Sequence, residues 1–231
     1  MKPCLCLIAA GALCLPIVAH AHVSIVSGPA TAGATNLITF GVGHGCAGAD
    51  TYRLTVEIPA GVTGVRPMGG DLGRPMVAKD AEGNVTSVTW QKPDDEVFEA
   101  DVAYYQVVLR LKAPEAPFTP LYFVAHQTCR AADGTESTVD WSTLPGDEGA
   151  GEEDHPAAPV MLLPARVAGW NRFTVSAAMT ELAMYFSDAQ IVWKDGAAFS
   201  ANPVVTDQIG ATPGVSALES LEAGDEIWVK Y

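Results

Sequence analysis

The chain reads as mainly β: an antiparallel β-sandwich of the immunoglobulin or cupredoxin kind, followed by a small α+β or β-rich C-terminal module. Three observations predict this. From His22 to about Leu163, short runs rich in Val, Ile, Tyr, Phe and Thr recur between clusters of Gly, Pro, Asp and Asn. Helical periodicity is nowhere sustained in that stretch. After Pro164 the character changes to a tryptophan-bearing segment with one helical window.

The expected strands are Val23 to Val26, Leu37 to Val42, Tyr52 to Ile58, Val85 to Trp90, Tyr104 to Leu111 and Leu121 to Thr128. In the third of these, Leu54, Val56 and Ile58 alternate with Thr55 and Glu57, so one face is buried, and the run stops at Pro59-Ala60-Gly61. In Phe40 to Cys46, the residues Phe40, Val42, His44 and Cys46 fall on one face of an extended chain and glycines on the other. Those glycines either admit a closely approaching backbone or bound group, or mark a strand breaking into a loop. Ala81-Glu82-Gly83-Asn84 is an expected hairpin turn, and Pro93 to Glu96 an acidic surface loop. Asp140-Trp141 follows the turn at Asp133-Gly134. An acidic loop, Asp147 to Asp154, precedes a closing edge strand from His155 to Leu163, and His155, placed before a proline, reads as simply exposed. In the C-terminal segment, Thr180 to Phe186 is helical, while Ile191 to Trp193, Ala198 to Asn202 and Ile227 to Tyr231 are extended.

Residues 1–21 carry the marks of a cleaved export signal: Lys2, an apolar run from Leu5 to Leu15, and the small-residue site Ala19-x-Ala21. The expected organisation is a signal peptide over 1–21, a sandwich over 22–164 and a module over 165–231. The protein then resides in the periplasm or outside the cell, with no membrane span left after cleavage. Cleavage after Ala21 makes His22 the first residue, placing a free α-amine (~7.7–8.0) beside an imidazole (~6.5), two donors that can close one chelate ring on a metal ion. Such binding weakens below about pH 6, where these groups hold their protons.

Loss of Lys2 leaves 12 basic against 27 acidic side chains and moves the formal charge from −14 to −15. That balance disfavours nucleic acid as a partner and favours cations, though acidity also serves solubility. Three of the five cysteines leave with the signal, and the remaining pair, Cys46 and Cys129, reads as a disulfide in an oxidising compartment; two thiolate ligands for copper or zinc is the rival reading. No G-x-S-x-G elbow, Walker loop, H-E-x-x-H or C-x-x-C occurs after residue 21, so no enzyme activity is expected.

Several of these residues occur together in a known family. His22-Val23-Ser24, Gly43-His44-Gly45-Cys46 with Thr51, Ile58 to Val62 with Pro67-Met68, Gln127-x-Cys129, Trp141 and His155-Pro156 to Leu163 resemble the YcnI-like family of exported copper-binding proteins over residues 22–164. The resemblance implies a β-sandwich holding one Cu(II) through the amine and ring of the N-terminal histidine, a single-histidine brace, with a carboxylate ligand and a tryptophan beside the metal. Trp141 matches the tryptophan. Where better-known members have the glutamate this sequence has His44, so the expected further ligand is His44, with Asp50 or Glu57 behind it and His126 near the metal. An amine, imidazoles and a carboxylate form a set that suits tetragonal Cu(II). The C-terminal segment resembles small Gly-Trp-Asn modules appended to exported bacterial proteins.

The function expected is copper trafficking or homeostasis, with other periplasmic copper-handling proteins as partners. One alternative is a histidine-brace copper mono-oxygenase acting on polysaccharide, with His44 or His126 as its second histidine. Another is a surface interaction module that binds a glycan or a neighbouring protein through its tryptophans.

Overall fold

The structure, a computed structural model, describes residues 22–147 and 155–231; the expected signal peptide and the acidic-loop residues 148–154 lie outside them. The strands are β1 (Val23–Ile25), β2 (Ala30–Thr31), β3 (Thr35–Val42), β4 (Asp50–Glu57), β5 (Thr63–Pro67), β6 (Met76–Lys79), β7 (Val85–Gln91), β8 (Tyr105–Lys112), β9 (Pro120–Phe123), β10 (Ala125–Arg130), β11 (Glu136–Trp141) and β12 (Ala158–Leu163). The C-terminal segment adds β13 (Trp170–Thr174), helix α1 (Leu182–Phe186), β14 (Ile191–Lys194), β15 (Ala197–Phe199), helix α2 (Pro203–Ala211), β16 (Ser216–Ala217) and β17 (Glu226–Lys230).

Two sheets form the sandwich, one ordered β1-β3-β8-β5 and the other β11-β10-β4-β7-β6, while β2-β12-β9 make a third, smaller sheet. The fold class is the one the alternation predicts. Between the layers lie Ile38, Phe40, Leu54, Val56, Val88, Trp90, Val107, Leu109, Leu111 and Phe123, all essentially without solvent contact. At roughly 1.5–3 kcal/mol per fully buried large apolar side chain, such a core stabilises the fold more than any single polar pair. Phe40 meets Phe123 edge to face at 5.3 Å, and the Trp90 indole N–H donates to the Met68 carbonyl at 2.8 Å.

The expected run Leu121 to Thr128 is broken at Val124. Its first half, β9, pairs with β12 and its second, β10, with β4, so the chain changes sheet there. The stretch 40–46 also departs from expectation. β3 ends at Val42, and His44 lies in the following loop with its side chain 57% exposed instead of facing the core. The glycines do admit close neighbours: a Cβ at Gly45 would collide with the Ala49 carbonyl and one at Gly41 with the Tyr104 hydroxyl, whereas Gly43 has open space. Cys46 pairs with Ala49 and is bonded to Cys129 across 83 residues, with the Cα atoms 5.6 Å apart. The disulfide expected from cysteine parity is present, and the thiolate-ligand reading falls with it. A loop of that length contributes about 4–5 kcal/mol in the chain-entropy account.

The C-terminal segment has its own five-stranded sheet, ordered β13-β17-β14-β15-β16, and its own apolar core of Val175, Leu182, Phe186, Val192, Ile227 and Val229. Phe118, from the β8–β9 connection, is buried in that second core, 5.8 Å from Phe173 and 5.6 Å from Phe186. Asn171 gives the Gly-Trp-Asn turn its shape: its side chain accepts from the Val167 N–H and donates to the carbonyls of Val167 and Gly169. Helix α2 lies outside every sequence expectation. Asn202 caps it by accepting from the Val204 N–H at 3.0 Å and Pro203 occupies its first turn.

Candidate functional site

The expected ligands fall into four separate neighbourhoods. His22 is exposed and immediately precedes β1, whose Val23 pairs with Val42 of β3. Its ring lies 5.4 Å from that of Trp141, centroid to centroid, at an interplanar angle of 41°. Trp141 ends β11 and points inward, 3% exposed. On the same indole, 4.8 Å away and edge to face, sits His155. A bridge between Thr143 and Pro156 brings it there, together with backbone N–H groups of Ser142 and Thr143 donating to the His155 carbonyl. His155 is exposed, as the sequence reading has it, and it also flanks Trp141.

Gln127 holds the tryptophan in place. Its Oε1 accepts from the Trp141 Nε1–H at 3.0 Å, while its Nε2 donates to the His44 carbonyl at 2.7 Å and to Thr51 Oγ1 at 2.8 Å. One buried amide thus ties together the indole, the glycine-rich loop and β4, with each polar atom satisfied. His44 touches this neighbourhood only through its backbone carbonyl; its imidazole has a separate setting facing Asp101, Nδ1 to Oδ2 3.6 Å.

His126 and Glu57 lie elsewhere. In β10, His126 alternates with the inward-facing Ala125 and Gln127 and so points to the outer face of the five-stranded sheet, away from Trp141. There its Nδ1 meets Asp140 at 2.6 Å and its Nε2 meets Glu57 at 3.1 Å. Satisfying two carboxylates requires a proton on each nitrogen. Hydrogen bonding to Asp140, reinforced by Glu57 against partial burial, accordingly raises the His126 pKa above its ordinary value. With each ring nitrogen directed at a carboxylate, His126 and Glu57 form one hydrogen-bonded group on the outer face and do not stand beside the tryptophan.

Asp50 is corrected most firmly. It is completely buried: Oδ1 accepts from the Tyr105 hydroxyl at 2.6 Å, and Oδ2 accepts from the Phe98 N–H at 2.8 Å and from Lys92 Nζ. Lys92, itself 3% exposed, also donates to the Tyr105 oxygen at 2.9 Å. Burial, then the bond to Asp50, pushes the Tyr105 phenol up, keeping its proton in this triad. The carboxylate that the family resemblance offered as a ligand is a structural anchor tying β4 to Lys92 after β7 and to Tyr105 of β8.

Among the described residues, no three His, Cys, Asp or Glu side chains converge as a metal site.

A protein-family profile described as "Domain of unknown function (DUF1775)" matches residues 22–162. Among solved structures, an uncharacterized protein from Nocardia farcinica, described as having an immunoglobulin-like fold, is 26% identical, with a TM-score of 0.51 over 62% of this chain and 98% of its own. A cohesin, ScaC, solved with the ScaB dockerin from Acetivibrio cellulolyticus, is 15% identical over 62% of this chain and 99% of its own, with a TM-score of only 0.34. No curated protein matches the chain. The profile spans well over half of the sequence and takes in the whole sandwich, His22 and Trp141 included: the chain belongs to the DUF1775 family, the family that the YcnI-like resemblance names.

Proposed function

We propose that this protein is an exported copper-binding protein in which His22, freed by signal cleavage, chelates Cu(II) through its α-amine and its ring, with copper as cargo in trafficking or homeostasis. The observation that carries this reading is the pair of imidazoles, His22 and His155, bordering one anchored indole at an exposed strand end. His155 replaces Asp50, Glu57 and His44 as the residue we assign to support the chelate. The donor chemistry fits, since nitrogen donors suit Cu(II) and copper stands at the top of the divalent affinity order. Two donors on one residue lower the ordering cost of closing the ring. Trp141, fixed by Gln127, excludes water from one side of the site and reports on it, because a bound paramagnetic ion quenches a neighbouring indole. The acidic balance of the chain attracts cations.

The test is isothermal titration with Cu(II) of the protein beginning at His22, alongside His22→Ala. The expected result is a single site whose affinity falls at least about 100-fold in the variant, equivalent to about 2.7 kcal/mol. Equal affinity for both proteins overturns the assignment.

A further inference from the structure

The C-terminal sheet turns Asn171, Val192, Ile227 and Val229, with the partly buried Phe173, toward its core on one face and leaves the other face partly or fully exposed. On the open face, the register sets Arg172, Trp228 and Trp193 side by side, and Trp170, Lys230 and Ile191 in the next row. Three tryptophans on three adjacent strands therefore share one platform. Trp170 is 51% and Trp228 47% exposed, and with Trp193 and Ile191 they line one shallow depression.

The geometry points to a binding face for a neutral glycan chain built of equatorially substituted pyranose rings, and we propose that function for the module. A pyranose ring of that kind presents axial C–H groups on its flat faces, and these stack on the electron-rich face of an indole. Its hydroxyls project sideways, where Arg172, Glu226 and Lys230, on the same sheet face, offer donors and acceptors. Arg172 and Glu226 are already ion-paired, so the platform is bordered by an ordered polar pair. The indoles stand on strands about 4.8 Å apart, so successive sugar rings meet successive tryptophans, and the rigid sheet adds little ordering cost.

Size and charge select this occupant. Half-exposed indoles of about 150–250 Å² each leave an apolar patch on the order of 300 Å². A second copy of the chain needs about 800 Å² per partner. With 27 acidic against 13 basic side chains, the protein repels polyanions, and a neutral chain meets no such penalty.

The full chain is titrated with cellohexaose and chitohexaose while tryptophan emission is followed, and is pulled down on insoluble cellulose and chitin. Binding of at least one probe with a blue shift in emission, weakened about tenfold or more in Trp228→Ala and kept within a few-fold in Trp228→Phe, is the expected result. Because Trp228 is half exposed, thermal unfolding of both variants is expected to match the parent. Failure of all four probes to bind, or equal binding by Trp228→Ala, overturns the proposal. So does a concentration-dependent dimer in light scattering that Trp228→Ala abolishes, since the face is then a self-interface. None of these readouts depends on His22 or on copper.

Discussion

His126 and His155 are two histidines at the same end of one sandwich, and their surroundings differ in kind. On the outer sheet face His126 is gripped by Asp140 and Glu57, one carboxylate for each ring nitrogen. At the strand end His155 packs edge to face with Trp141, the indole that His22 also neighbours. Carboxylates around a histidine suggest a metal site on composition alone, yet here they engage both ring nitrogens in hydrogen bonds. An aromatic neighbour engages neither. Which histidine can act as a ligand is therefore decided by its partners and not by how many acidic residues are near.

The comparison is sharpened most by a third arrangement, the buried Asp50. If its role is purely structural, Asp50→Ala strands the Lys92 charge in the core and lowers stability by about 3–5 kcal/mol in urea unfolding, while the folded fraction binds copper as before. Loss of copper binding in folded protein contradicts this division of roles. A smaller effect is expected at His155. His155→Ala weakens Cu(II) binding about tenfold, roughly 1.4 kcal/mol, and leaves thermal stability within a degree or two, whereas His126→Gln leaves copper affinity unchanged. If the two variants exchange behaviours, the assignment of neighbourhoods is reversed.

The smallest effect is the pH dependence of the His126 cluster. Its folded pKa is raised, chiefly by Asp140, so the stabilisation is fully present below the ordinary histidine value near ~6.5 and is lost as pH rises through the folded value. The carboxylates are largely exposed, with side chains 56% and 61% accessible, so solvent screening holds the effect to at most about 1 kcal/mol. The stability gap between parent and His126→Gln is expected to be largest near pH 5.5 and to close at alkaline pH; a gap that widens with rising pH has the wrong sign.

Local signals made much of this legible in the sequence. Alternation of Leu54, Val56 and Ile58 shows a half-buried strand, and the parity of Cys46 and Cys129 shows a disulfide, because each depends on few residues or on chemistry alone. The His22–Trp141 neighbourhood came from the family resemblance and not from periodicity. The rest was hidden in register. Asp50 meets Lys92 and Tyr105 from 42 and 55 residues away, and His126 meets Glu57 from 69 away, so only the pairing of β4 with β7 and β10, and the contact of β4 with β8 of the other sheet, reveals them. The sequence shows that His155, before a proline and beside an acidic loop, is exposed, but the bridge from Thr143 to Pro156 that turns it onto Trp141 has no local signature. Helix α2 could have been found from Asn202-Pro203, a cap followed by a first-turn proline, although its single buried residue, Ile209, leaves almost no apolar stripe.

The most direct measurement compares two proteins that differ by one residue: one beginning at His22, the other carrying a single alanine before it. Both keep every side chain, and only the first offers the His22 nitrogen as an amine. Titrated with Cu(II) at pH 7.5, the first is expected to bind at least about 100-fold more tightly and to quench its tryptophan emission more strongly. Equal affinities would contradict the account, since the metal would then be held by side chains alone.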